Sequence, residues 1–214
     1  VSMVIGVLLA PGQWDKKRLF AYHSISQIGY VVLGLGLGTP LGLAGGLFHM
    51  VNHSVFKSLL FLNAGSVERA GGTRDLRRLG GLGGPMPVTA ATSMTASLSI
   101  TGIPPFNGFW SKLIIVLACV QADYYGLALW AVLVSLVTLA SFMKVQRYAF
   151  FGELPGALAR VGRCPPLMAA AMVLLACGCL LMSLFVIYGL EDPLLVGPAA
   201  EVLLDGVFRM PEVL

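Results

Sequence analysis

The sequence predicts an all-α fold: a polytopic membrane helix bundle of about five transmembrane spans, the fourth broken at Gly102–Gly108. Three observations carry this expectation. Hydrophobic residues make up 57% of the 214 residues and charged residues only 11%, where a soluble chain averages about 25% charged. Mean hydropathy is +0.85. The charges are also gathered into short segments that separate long apolar stretches. A soluble globule could not keep so much apolar surface from water, and a disordered chain is excluded by the same composition.

The elements follow in order. Met3 to Ala10 is apolar but far short of the roughly 20 residues that a bilayer demands. It reads as the tail of a helix begun elsewhere, so the chain reads as a fragment or as one half of a split subunit. From Leu19 to Val67 the only Lys, Arg, Asp or Glu is Lys57. Pro40 and Gly42 divide this stretch into spans near 18–38 and 43–66. Two further spans fall near 126–146 and 166–189.

The stretch from Pro87 to Ala122 holds the breaker Gly102-Ile103-Pro104-Pro105-Phe106-Asn107-Gly108 and could be two spans or one interrupted span. Charge decides. Asp15–Arg18 carries +2, Glu68–Arg78 carries +2 and Lys144–Arg163 carries +3, while Asp123 and the tail from Glu191 are acidic. One broken span puts all three basic segments on one side, including Arg160, and the acidic ones opposite with Arg209. Two spans would put the third basic segment on the wrong side of the positive-inside rule. A helix broken within a membrane is tolerated where protein or a water-filled cavity satisfies its freed backbone, which is a transporter feature.

Small motifs have plain readings. Gly34 with Gly38 and Gly42 with Gly46 have the spacing of close helix packing. Gly80-Gly81-Leu82-Gly83-Gly84-Pro85 fits no phosphate-binding pattern and reads as a flexible cytoplasmic turn. Asp15, Lys16, Lys17 and Arg18 read as a solvated loop, and Lys144 and Arg147 as a helix end at the same surface. Cys119, Cys164, Cys177 and Cys179 form no CxxC pair or disulfide framework.

Ionisable residues inside a span are the functional signal, because each is costly there. His49, His53 and Lys57 recur at i, i+4 and i+8, which places them on one helix face, with Asn52 beside them. Such a column can hold water and pass protons. His-x-x-x-His can also bind zinc, but the glutamate of a metalloprotease is absent, and no metal is expected. Lys112 follows the breaker, where free carbonyls and trapped water lie within reach. His23 is a further relay candidate near Ser24, Ser26 and Gln27, or a packed histidine.

Several motifs resemble one family. Asp15-Lys16-Lys17-Arg18-Leu19-Phe20-Ala21-Tyr22-His23-Ser24-Ile25-Ser26-Gln27-Ile28-Gly29-Tyr30 is similar to a signature of the antiporter-like subunits of respiratory complex I, of multisubunit sodium/proton antiporters and of energy-converting membrane hydrogenases. Leu47 to Leu62 resembles the His/His/Lys helix of the group containing the distal complex I subunit. Gly72-Thr73-Arg74-Asp75 with Leu79-Gly80-Gly81-Leu82 resembles the next loop. Gly102 to Lys112 resembles the broken helix with the terminal channel lysine, and Phe150-Phe151-Gly152 a motif after the following span.

The resemblance implies that residues 1–155 are the C-terminal half of an antiporter-like core, helices ten to fourteen of fourteen. Residues 156–214 would supply the final helix and a short acidic tail. It implies a proton-translocating subunit of a redox-driven complex such as NADH:quinone oxidoreductase or a membrane-bound hydrogenase. The Ala21-Tyr22-His23-Ser24 variant and the short tail lean toward hydrogenase-type members. Its path would run through Lys57, His53 and His49 to Lys112, with His23 nearby. Partners would be other membrane subunits, the N-terminal half of the core, the lipid bilayer of the inner (cytoplasmic) membrane, and protons or sodium ions, but no nucleic acid. The chain has no flavin, iron–sulfur or haem ligand pattern, so no cofactor is expected. Alternatives are a sodium/proton antiporter subunit without redox partners and a structural membrane subunit without transport.

Overall fold

Seven α-helices and two single 3₁₀ turns make up residues 1–159 and 161–187, the part of the chain that the computed structural model describes. The helices are α1 (Ser2–Leu9), α2 (Lys16–Gly36), α3 (Pro40–Gly71), α4 (Pro87–Thr101), α5 (Asn107–Gln121), α6 (Tyr125–Ala149) and α7 (Pro166–Ile187). Arg160, Arg209, the acidic tail from Glu191 and the last residues of the expected 166–189 span lie outside the described residues. Two helices, α6 and the Pro166–Leu184 part of α7, are apolar and long enough to cross a membrane by length and composition. α2 and α3 have the length but carry buried polar rows that lower their hydropathy.

Local chemistry sets the helix ends. Asp15 caps α2, its carboxylate accepting from the amides of Lys17 and Arg18, which satisfies amides that have no partner inside the helix. Thr39 caps α3 in the same way, with Pro40 in the first turn, where proline's missing amide costs nothing.

α3 is the axis, packed against α2, α4, α5 and α7. With 32 residues it is about 48 Å long. Near its C-terminus Ser66 bonds Thr89, and Thr92 donates to Asn63. Toward its N-terminus Asn52 bonds Asn107, His49 meets Ser111, and Gly45 lies against Ile115. Partners thus advance from 89 to 115 as α3 is read back from 66 to 45. α4 and α5 therefore run end to end in one direction, antiparallel to α3. A hairpin would have reversed the second half of the series.

The basic segments meet at one end of the bundle. The chain around Asp15 pairs with that around Asp75 through Lys16 N–H to the Arg74 carbonyl and Leu76 N–H to the Trp14 carbonyl. Lys17 pairs with Glu68 at 2.6 Å. Arg77 hydrogen-bonds Asp75 and holds its carboxyl below the usual range. The Lys144 amine donates to the carbonyls of Pro11 and Gln13 and lies 3.7 Å from the Trp14 ring centre.

Two readings of this end change. Lys16 is not solvated: it is 1% exposed, between the rings of Phe20 and Phe150, because the 72–76 loop and the end of α6 close over it. The glycine loop is not a free turn. Gly81, Leu82 and Gly83 donate to the carbonyls of Phe151, Ala149 and Phe150. A Cβ on Gly81 would come within 2.6 Å of the Leu154 amide, so the glycines serve close backbone approach.

Close packing also explains the helix glycines, with one difference in pairing. Gly34 stands against Gly42 and Gly46 across the α2–α3 crossing, where a Cβ on Gly34 would meet backbone at 2.8 Å. Gly38 is the turn residue, at φ +63°. Cys177 is exposed and Cys179 buried, as positions two apart on a helix should be.

Candidate functional site

Lys57, His49, Lys112 and His23 are all buried, and His53 is partly so. On α3 each step of four residues turns about 40°, so His49 faces α5 while Lys57, further round, is buried against α2, and His53 between them is partly exposed. Phe56 packs beside the column, its ring 6.2 Å from that of His49 and 5.5 Å from that of His53. By their partners the residues fall into two halves.

The first half surrounds Lys57. Its amine donates to the Phe20 carbonyl on α2 and lies over the Phe20 and Phe61 rings at 5.8 and 5.5 Å. Aromatic faces attract a cation, so this pocket suits an ammonium group held away from bulk water. Phe142 on α6 stacks on Phe20, and His23 packs on Phe142 at 4.9 Å. His23 thus joins the lysine through α2.

The second half is built on the α4–α5 break. Gly102 ends α4 at φ +81°, a conformation that favours glycine. It also leaves room for the Lys112 stem, which would lie 3.1 Å from a Cβ there. The Lys112 amine donates to the Ile100 carbonyl at 2.8 Å, one of the acceptors near the end of α4 that the break frees. It stands 4.7 Å from the Tyr30 ring centre. The Tyr30 hydroxyl donates to the Ala131 carbonyl and shares a hydrogen bond with Ser135, fixing the ring. His49 Nδ1 lies 2.8 Å from Ser111 Oγ. Asn52 and Asn107 bond each other reciprocally beside it.

Between the halves, α2 presents His23, Gln27 and Tyr30 at i, i+4 and i+7, all buried. Both ring nitrogens of His23, both amide atoms of Gln27, and Nε2 of His49 and of His53 have no hydrogen-bond partner among the described residues. Buried polar groups are nearly always satisfied, and water is the partner such a setting selects. The structure thus brings together His49, Lys112 and Ser111. It sets Lys57 with His23 in a neighbouring pocket and joins the two by a seam of unsatisfied donors and acceptors.

Tyr30, Gln27, Ser111 and Asn107 were not singled out from the sequence. Uncharged polar residues are common helix-packing contacts in membranes. The one available signal was the α2 stripe from Phe20 through His23 and Gln27 to Tyr30.

Comparison with known proteins matches residues 1–138 to the family described as NADH:quinone oxidoreductase/Mrp antiporter, transmembrane. A Na(+)/H(+) antiporter subunit of Alkalihalophilus pseudofirmus is 44% identical over 153 residues, covering 72% of this chain and 31% of that protein. NADH-quinone oxidoreductase subunit L of Mycobacterium tuberculosis is 40% identical over 185 residues, covering 83% of this chain and 29% of that protein. This chain therefore spans less than a third of the length of either relative. A chain in the structure of the Mrp complex from Dietzia sp. superposes with a TM-score of 0.87 at 32% identity, covering 96% of this chain and 46% of that one. A chain of respiratory complex I from Thermus thermophilus with bound NADH gives 0.83 at 28% identity, covering 95% and 42%.

Proposed function

This chain belongs to the NADH:quinone oxidoreductase/Mrp antiporter transmembrane family, and from that premise we propose that it moves protons across a membrane as part of a larger multisubunit complex. The observation that carries the reading is the seam of unsatisfied His23, Gln27, His49 and His53 atoms between two buried lysines. A proton leaving Lys57 passes over water held by His23, Gln27 and His53 to His49. From there it passes through the Ser111 hydroxyl to Lys112. A mainly apolar cavity of ≈ 250 Å³, with Thr101, Gly102 and Ser135 in its wall, opens beside Lys112 and is the way out in this reading. Lysine and histidine suit this work because each gains and loses a proton reversibly, whereas arginine does not.

Residues 1–155 act, in this reading, as half of an antiporter-like core that works with further membrane subunits. The chain crosses the membrane five times, with α4 and α5 together making the fourth crossing. The one-way run of contacts along α3 and the gathering of basic segments at one end support this. The positive-inside rule puts that end in the cytoplasm and the chain in the cytoplasmic (inner) membrane. The buried lysines and histidines each take up and release a proton, which supports a proton as the ion carried in this reading.

The test uses the assembled complex reconstituted in vesicles. Lys57→Met and Lys112→Met keep length and apolar fit but cannot titrate. Both are expected to abolish proton translocation while assembly is retained. Normal translocation in both would remove the relay.

A second reading is a sodium/proton antiporter component with no redox partner, favoured by the 44% identity to the protein from Alkalihalophilus pseudofirmus. A sodium pulse given without any electron donor separates the two: proton counterflow supports the antiporter, and its absence the redox-driven complex.

A further inference from the structure

A second polar stripe lies outside the site above, nearer the basic end. On α4, Thr89, Thr92, Ser93 and Ser97 share one buried face at helical spacing. Ser66 Oγ of α3 bonds Thr89 Oγ1 at 3.1 Å, and Thr92 donates to Asn63 Oδ1 at 3.0 Å. Gln146 of α6 donates from Nε2 to both Ser97 and Ser93, at 2.7 and 3.0 Å. Gln146 is 2% exposed, and its Oε1 has no partner among the described residues.

Both ends of the stripe lead somewhere. At its outer end, Ser66 lines a cavity of ≈ 200 Å³ with Arg69, Arg163 and Cys164. Thr89 lines another of ≈ 290 Å³ that shares Arg163 and Cys164. The hydroxyl pair Ser66–Thr89 therefore stands between two openings, the first mainly polar and the second, walled by Met86, Pro87 and Val88, mainly apolar. At its inner end, the pairs Phe150–Lys16 and Phe142–Phe20 put Gln146 one turn nearer the basic end than Phe20. Phe20 is the residue whose carbonyl holds Lys57.

We propose that this stripe is a proton inlet from the basic side, running from the Arg69–Arg163–Cys164 cavities through Ser66–Thr89, Asn63–Thr92 and Gln146 with Ser93 and Ser97 to Lys57. It rests on the relay reading, because Lys57 is its destination. Hydroxyls and amides both donate and accept, so with water between them they orient a chain of hydrogen bonds along which a proton hops without any side chain being ionised. The unpartnered Gln146 Oε1 is an acceptor for that water. The arginines at the mouth repel free cations, so the stripe admits a proton through water rather than a hydrated metal ion.

The experiment uses the assembled complex in sealed vesicles, in a Cys164→Ser background. Thr89→Cys and Ser93→Cys are exposed to a small membrane-impermeant thiol reagent from the basic side. Gln146→Leu and Gln146→Glu are assayed for translocation beside Lys57→Met. Reaction at both cysteines is expected, with a loss of at least fivefold in Gln146→Leu that Gln146→Glu largely restores. Unreactive cysteines together with wild-type translocation in Gln146→Leu would overturn the inlet and leave the hydroxyls as helix-packing bonds. In that case a blocked Lys57→Met would keep the relay standing. Wild-type translocation in Lys57→Met would remove the relay and the inlet's destination together.

Discussion

His49 on α3 and Ser111 on α5 share a buried 2.8 Å hydrogen bond, and this bond ties the histidine column to the helix that carries Lys112. Loss of the hydroxyl leaves a buried ring nitrogen without a partner, which costs about 1–3 kcal/mol. Ser111→Ala is therefore expected to lower the thermal stability of the complex and to slow translocation without abolishing it. His49→Gln should also be partial, since ordered water can bridge one missing station. Complete loss in either, at normal assembly, would mean that no water bridges the seam. Both are read by proton uptake per turnover.

Lys57→Arg should fail as completely as Lys57→Met. Arginine keeps its proton at any accessible pH, so a station that must release one is blocked even though charge and ring contacts survive. A lysine needed only for its charge against Phe20 and Phe61 would accept the change. Initial rates of vesicle acidification decide between these.

The five-crossing topology predicts a labelling pattern. Single cysteines replacing Arg74 and Arg163 should react with an impermeant reagent from one side, and a cysteine replacing Asp123 from the other. Reaction of 74 and 163 from opposite sides would make α4 and α5 separate crossings.

Gly108→Ala should damage the break itself. A Cβ at 108 would overlap the Ser99 carbonyl oxygen, and neither backbone can retreat cheaply. Overpacking of this kind costs about 1–3 kcal/mol. The expected outcome is reduced melting temperature and reduced complex yield. Gly36→Ala, where a Cβ meets nothing within 4 Å, should have no such effect.

The burial of Lys57 and Lys112 was legible in the sequence because a charge in an apolar stretch has few explanations. The break was legible because Gly102, Pro104 and Pro105 cannot continue a helix. Phe56 was not, since a phenylalanine in such a stretch is ordinary and nothing local sets its ring against both His49 and His53. Ser111, Gln146 and Ser97 were hidden for another reason. Their meaning comes from partners 49 to 62 residues away, which no local spacing records. Lys16 misled: a run of basic residues looks solvated, and only the docking of the 72–76 loop and Phe150 buries it.

The interlocked loops at the basic end make a fixed base plate. Lys16 is bound to Arg74, Leu76 to Trp14, Lys144 to Pro11 and Gln13, and the 81–83 backbone to 149–151. The feet of α2, α3, α4 and α6 are thereby bolted together. α5 has no foot there; it hangs from the 102–106 joint at one end and the Ala122–Tyr124 turn at the other. Its place is set instead by side-by-side packing on α3, through Gly45 against Ile115, His49 with Ser111 and Asn52 with Asn107. A displacement of α5 against the plate would therefore be felt first at the His49–Ser111 contact, next to Lys112.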